Sequence, residues 1–251
     1  MRGSKREDSR GIHVLSAFLT DAQIVMGEVI CDEKSNEITA IPELLDALNV
    51  GKAIVTIDAM GTQTKIAEKI VAKKADYCLA LKGNHADIHD DVRFYFENET
   101  VENTLSSLEK GHGRIEKREY FLETAIDWLH GKEHWTGLRA IGAVKNTTTV
   151  KGNKTVEARY YLTSLSDIDS FAHAVRAHWG IENNLHWHLD VTLEEDSSRV
   201  RNKNAALMWN VLRKLALEHL KKQSYGGKSL KSLGKLAGWD NSFLERVVFA
   251  E

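Results

Sequence analysis

The chain has 251 residues, of which 42% are hydrophobic and 28% charged, with a formal charge of −2. That length and balance fit a folded soluble protein of one large or two small domains, and they exclude a uniformly basic surface while leaving room for a local basic groove. Two cysteines, Cys31 and Cys78, with no metal-site spacing predict a reduced, intracellular protein. No apolar h-region follows Met1, and no apolar run is long enough to cross a bilayer, so matches such as Asn98-Glu99-Thr100 carry no glycosylation meaning.

In chain order, residues 1–10 are charged and contain Gly and Ser, which reads as a loop between strands. Residues 12–19 and 23–31 read as strands rich in Val, Ile and Leu, joined by a turn at Thr20-Asp21-Ala22. Residues 38–49 read as a helix with the only proline, Pro42, in its first turn, where a missing N–H is tolerated. Residues 53–57 form an apolar strand ending at Asp58, 62–74 an amphipathic helix, and 77–81 a buried strand ending at Lys82-Gly83-Asn84. This alternation predicts an α/β fold, a mixed sheet with helical crossovers. Residues 85–110 read as a helix followed by a polar loop. A β-rich insertion is expected over 112–165, with charged and apolar residues alternating from Ile115 to Leu122 and a turn at Lys151-Gly152-Asn153. Helices resume at Asp167 and run with breaks to Gln223. Tyr225-Gly226-Gly227 is a linker, and residues 230–250 form a helical tail. The expected divisions are thus 1–111, 112–165, 166–223 and 224–251.

The strongest chemical signal is His178-Trp179-Gly180-Ile181-Glu182-Asn183-Asn184-Leu185-His186-Trp187-His188-Leu189-Asp190. Ile181, Leu185 and Leu189 recur four apart, as on one side of a helix. His178, Glu182 and His186 form a second row, with Asp190 close to its line. A carboxylate among aromatics is costly unless paired, protonated or metal-bound. A half-solvated helix with Glu182 on its wet side explains the same pattern. Asp58 ends a buried strand, where polar groups of α/β sheets line the ligand crevice. Capping the next turn is its plainer role. Both acids suit a hard cation such as Mg²⁺. His178, His186 and His188, with Glu182 and Asp190, invite a zinc reading, but they lack the one-turn His-x-x-x-His spacing. Arg114, Lys117 and Arg118, then Arg199, Arg201 and Lys203, and Lys82 at a strand end, are candidate phosphate contacts, each also readable as a solvated face. Trp209, Leu212, Leu215 and Leu217 read as core.

Five stretches then occur in order: Glu33-Lys34-Ser35-Asn36-Glu37-Ile38, Thr56-Ile57-Asp58-Ala59-Met60-Gly61, Leu81-Lys82-Gly83-Asn84, Gly111-His112-Gly113-Arg114-Ile115-Glu116, and His178-Trp179-Gly180-Ile181-Glu182-Asn183. Together they resemble the H-repeat-associated proteins, bacterial insertion-sequence transposases of the DDE superfamily, over nearly the whole chain. The resemblance implies a ribonuclease-H-like fold with a β-rich insertion before the last catalytic helix. It also implies metal-dependent DNA cleavage and strand transfer, with Asp58 as second acid, Glu182 as third, Mg²⁺ or Mn²⁺ as cofactor, and DNA and a second copy of the chain as partners. It points to Arg176, in Val175-Arg176-Ala177-His178, for a phosphate. The family's first aspartate lies in an Asp-Gly-Lys-Thr-Leu-Arg-Gly-Ser-type motif, and this chain opens at Met1-Arg2-Gly3-Ser4. The first acid and the first strand of the sheet are therefore expected to be missing, with Asp8 no substitute. The expected object is an inactive cytoplasmic remnant. A non-catalytic DNA-binding or protein-interaction remnant is the rival reading. In the implied sheet the lost strand would lie between residues 12–19 and 53–57, so the expectation is a gap or a forced pairing there, and poor solubility.

Overall fold

Alternating apolar segments and amphipathic stretches become, in the computed structural model, β1 (His13–Leu19), β2 (Ile24–Cys31), α1 (Glu37–Ala47), β3 (Ile54–Ile57), α2 (Thr64–Ala72), β4 (Asp76–Leu81), α3 (Ala86–Asn98), β5 (Thr104–Gly111), β6 (Arg114–Glu123), β7 (Ala140–Val150), β8 (Asn153–Thr163), α4 (Ile168–Ile181), α5 (Lys203–Lys221), α6 (Leu230–Trp239) and α7 (Asn241–Phe249). The structure describes residues 13–31, 37–111, 113–200, 202–223 and 226–249. The opening decapeptide, Asp8, most of the Glu33–Ile38 motif, His112 and Arg201 lie outside the described residues, as does the side chain of Lys203. The chain falls into two units, residues 37–178 and the segments before and after them.

The 37–178 unit is built on a six-stranded mixed sheet of order β3-β4-β8-β7-β6-β5. Only β3 and β4 are parallel, joined by the α2 crossover, and every other pairing is antiparallel. Lys151 and Gly152, at φ 49° and 87°, make the two-residue turn between β7 and β8. Both positions need positive φ for the turn to match the twist of the strands. β4 and β8 are stitched by Thr163 Oγ1 donating to Tyr77 O at 2.7 Å and Ser164 Oγ accepting from Tyr77 N at 2.9 Å.

One sheet face packs on α4. Phe171 is fully buried against Tyr161 and clusters with Tyr120, Val144 and Val175. Gly142 lets that ring sit against the β7 backbone, since a Cβ there would lie 2.3 Å from Phe171 Cζ. Gly142→Ala is expected to cost about 1–3 kcal/mol through overpacking, read as a lower thermal midpoint. An unchanged midpoint would show that the ring moves aside freely. On the opposite face α3 meets β8, with Phe96 stacked on Tyr160 and His89 edge-on to it.

The polar loop expected after α3 is instead β5. Its sequence, Thr-Leu-Ser-Ser-Leu-Glu-Lys-Gly, lacks a clean alternation, and all eight residues are exposed. It is a strand because β6 offers it an edge, pairing Thr104 with Phe121 through to Gly111 with Arg114.

In the other unit, β1 and β2 form their own two-stranded antiparallel sheet. β3 is an edge strand of the larger sheet, so the strands expected to flank a lost central strand belong to separate sheets. Phe18 and Val25 of the hairpin pack on a cluster of Leu185, Leu189 and Leu217. Leu220, Leu233, Phe243 and Val247 tie α5 to α6 and α7.

α5 corrects a sequence expectation. Leu217 is buried, but Trp209, Leu212 and Leu215 are 50%, 46% and 48% exposed. The inward face is Ala206, Asn210, Lys214, Leu217 and Leu220, at helical spacing. Its two polar members each find a partner on a neighbouring element. Asn210 donates to Glu195 at 2.8 Å, and Lys214 binds Ser16 and Glu28, which face each other across the hairpin. Hydropathy marked the wrong side because specific polar partners, not apolar count, decide which side is covered.

Candidate active site

β3 runs parallel to β4, so the turns after both strands emerge at the same end of the sheet. Asp58 follows the last residue of β3, at φ −65° and ψ 162°, and begins the short 3₁₀ turn Ala59–Gly61. It occupies the N-cap position, yet its side chain caps nothing; Asp58 O alone accepts from Gly61 N at 3.0 Å. The carboxylate is exposed and, among the described residues, has no hydrogen-bond or ion-pair partner.

The Asp58 turn is held by its neighbour. Thr62 Oγ1 donates to Ala80 O at 2.6 Å, Asn84 Nδ2 donates to Ala59 O at 2.8 Å, and a His85 ring nitrogen lies 2.5 Å from Thr62 O. His85 in turn sits edge-on to Trp135. Asn84 was legible as part of a strand-end motif; His85 and Thr62 gave no sequence signal, because their partners are backbone carbonyls far along the chain. Lys82, beside them at the end of β4, is exposed and has no ionic partner among the described residues.

The last turn of α4 reaches the same strand. His178 Nδ1 lies 3.0 Å from Thr56 Oγ1, two residues before Asp58. This contact joins the first residue of the His178–Asn183 motif to the first residue of the Thr56–Gly61 motif. Sequence reasoning placed His178 in a possible metal row and gave no sign of this bond.

Beyond Ile181 the helix changes type. Glu182–His186 and His188–Thr192 are π-helical, with Trp187 N–H donating to Glu182 O and Leu193 N–H to His188 O. Leu185 and Leu189 are 2% and 3% exposed, with Ile181 packed beside them. Such π segments recur at functional sites. Glu182 opens the first, exposed, and without a hydrogen-bond or ion-pair partner among the described residues. Trp179 and Trp187 beside it are 39% and 53% exposed.

His188 is otherwise engaged, its Nδ1 lying 3.0 Å from Thr192 Oγ1, and burial lowers the pKa of its ring; His186 is exposed. Asp190 has a raised pKa through burial, then through the charges of Asp196 and Glu195. Among the described residues no three His, Cys, Asp or Glu side chains gather as a metal cage.

The basic candidates divide. Arg118 pairs with Glu109 at 3.0 Å and with Glu116, Arg114 pairs with Glu116 at 2.7 Å, and Arg176 reaches Glu109 at 3.1 Å. Hydrogen bonding from Arg118 first, then both guanidinium charges, hold the Glu109 carboxyl below the ordinary range. Lys117 pairs with Glu119 at 2.6 Å. Arg199 is exposed in the loop before α5, and Arg201 lies outside the described residues.

A family model described as a transposase DDE domain matches residues 2–218. This chain belongs to the transposase DDE-domain family. Among relatives, it is 40% identical to the putative transposase YncI of Escherichia coli O157:H7 over 99% of its own length and 66% of that protein's. It is 35% identical to the H repeat-associated putative transposase YhhI of Escherichia coli strain K12, over 94% of this chain and 65% of that one. The putative protein YbfL of the same strain matches with the same identity and coverage. The chain thus spans just under two thirds of the length of these relatives. The mixed α/β sheet with its helices is consistent with the ribonuclease-H-like fold of a DDE transposase. No helix among the described residues is long and apolar enough to cross a membrane.

Proposed function

We propose that this chain carries the DNA-processing core of a DDE-type transposase, acting on insertion-sequence ends in the bacterial cytoplasm, with Asp58 and Glu182 as the second and third acids. The supporting observation is the hydrogen bond between Thr56 and His178, which holds the end of α4, four residues before Glu182, against the strand that leads to Asp58. Each motif then presents a carboxylate that the fold itself does not use. Unused carboxylate oxygens are a hard donor set that suits Mg²⁺ or Mn²⁺. Such an ion, when bound, supplies positive charge at the phosphate and a readily ionised water or hydroxyl. The chain's own part is positional: the Thr62, Asn84 and His85 contacts fix the Asp58 turn, and Lys82 at the same sheet end offers a charge to the DNA backbone.

Two acids are a poor cage for a pair of Mg²⁺ ions, which need several oxygen ligands each. Incubated with supercoiled DNA in Mg²⁺ and then Mn²⁺, the 251-residue chain is expected to bind without nicking. Nicking that disappears in Glu182→Gln would show that two acids suffice. A chimera supplying the portion that its longer relatives have and this chain does not span is expected to cleave, and to lose cleavage on Asp58→Asn. Cleavage that survives Asp58→Asn would remove Asp58 from the site.

A further inference from the structure

The antiparallel strands β5 to β8 extend past the helices that cover their base, and the two faces of this extension differ in kind. Side chains alternate between faces along each strand, and directly paired residues share a face. The pairings Lys110–Ile115, Ile115–Thr149 and Thr149–Lys154 make one row across all four strands. The next row runs Leu108–Lys117–Thr147–Val156, and the one after places Glu119 opposite Lys145. These three rows therefore hold Lys110, Lys117, Lys145 and Lys154 against the single acid Glu119, while Glu123 on the same face lies at the base and bonds Tyr95 of α3. Lys117 is paired to that acid, while Lys110, Lys145 and Lys154 are exposed and have no ionic partner among the described residues. Leu108, Ile115 and Val156 lie among them, 60%, 39% and 58% exposed. The opposite face carries Arg114, Arg118 and Arg159 with Glu109, Glu116 and Glu157, each arginine within salt-bridge distance of an acid. One face has its charges matched; the other carries unmatched positive charge, with hydroxyls and apolar stems between.

The three unmatched lysines, on β5, β7 and β8, give this face a net positive charge that an anionic occupant would complement. We infer that the lysine face of the β5–β8 extension binds the phosphate backbone of duplex DNA without reading its sequence. Lysine is a flexible point charge suited to phosphates at varied spacing, and Thr147 and Thr149 offer hydroxyl donors between them. Arg114 and Arg118, close to Lys117 in sequence, fall on the other face and stay with their glutamates. The inference rests on the proposal that the chain acts on DNA and names the surface that holds it.

The test is duplex affinity of the 251-residue chain as a function of salt. Lys110→Ser, Lys145→Ser and Lys154→Ser combined are expected to lower the slope of log K against log salt by about 2.7, roughly 0.9 for each phosphate no longer neutralised. The loss of affinity should be the same for unrelated duplex sequences. Arginine at the same three positions should keep both. Lys65→Ser, Lys228→Ser and Lys235→Ser combined make the same change in net charge at positions elsewhere and should leave the slope near its original value. An unchanged slope in the first triple variant, or equal losses in both, overturns the inference while DNA binding itself stands. Loss of binding to anionic vesicles but not to duplex overturns it in favour of a membrane. A chain that binds no duplex at all overturns both this inference and the proposed function.

Discussion

Lys214→Ala is expected to lower the unfolding free energy by about 3 kcal/mol or more, the range for removing one partner of a buried ion pair. Lys214 is 8% exposed and Glu28 17%, and Ser16 shares the ammonium group. Removing the lysine leaves the Glu28 carboxylate against α5 without its counter-charge, and the desolvation it has already suffered is no longer offset. It also removes the polar tie between α5 and both strands of the β1–β2 hairpin, leaving the apolar contact of Phe18 and Val25 with the Leu217 cluster. A bare two-stranded sheet is marginal without a packed face. Replacing both members by apolar residues, Lys214→Met with Glu28→Met, should recover most of the loss, because an apolar pair of similar volume carries no desolvation cost. Urea unfolding of the parent and the two variants decides the point. A single variant as stable as the parent would mean that the pair is loosely solvated, and an unrescued double variant would mean that the loss is one of packing.

Asp58→Asn and Glu182→Gln should each weaken Mn²⁺ binding by roughly tenfold or more while leaving the thermal transition where it is. Changes to groups that merely support a metal's ligands already cost about 10–100-fold in affinity, and a direct ligand should cost at least as much. Neither carboxylate caps a helix, pairs with a cation or is buried in the described structure. Surface substitutions of that kind usually stay within about 0.5 kcal/mol. The two readouts must therefore separate: calorimetric or paramagnetic titration should show lost affinity, and thermal unfolding should show nothing. A shifted thermal midpoint with intact Mn²⁺ affinity would make these acids structural and would remove the basis for a DDE site. The corresponding change at Asn84 should behave differently, since its bond to Ala59 O belongs to the fold of the turn.

Asp58 and Glu182 stand out as candidates because each sits in a local pattern: a carboxylate ending an apolar strand, and a carboxylate opening a segment with apolar residues four apart. The β3-α2-β4 crossover and the β7–β8 turn were equally local, set by apolar runs and by Lys151-Gly152. β5 was not, because an exposed polar strand is defined only by the edge it pairs with.

What the sequence determined by itself was the ordered set of motifs, the class of the fold, and which residues could carry charge at a strand end or on a helix. Those depend on periodicity and on covalent neighbours. Tertiary structure alone decided which side of α5 is inside, where Asn210 and Lys214 displace Trp209, Leu212 and Leu215 from burial. It alone sorted Arg114 and Arg118 from Lys117, by the two-residue alternation of a strand whose register is fixed by partners distant in the chain. The sequence sets which groups need a partner; only packing and register determine which of them find one.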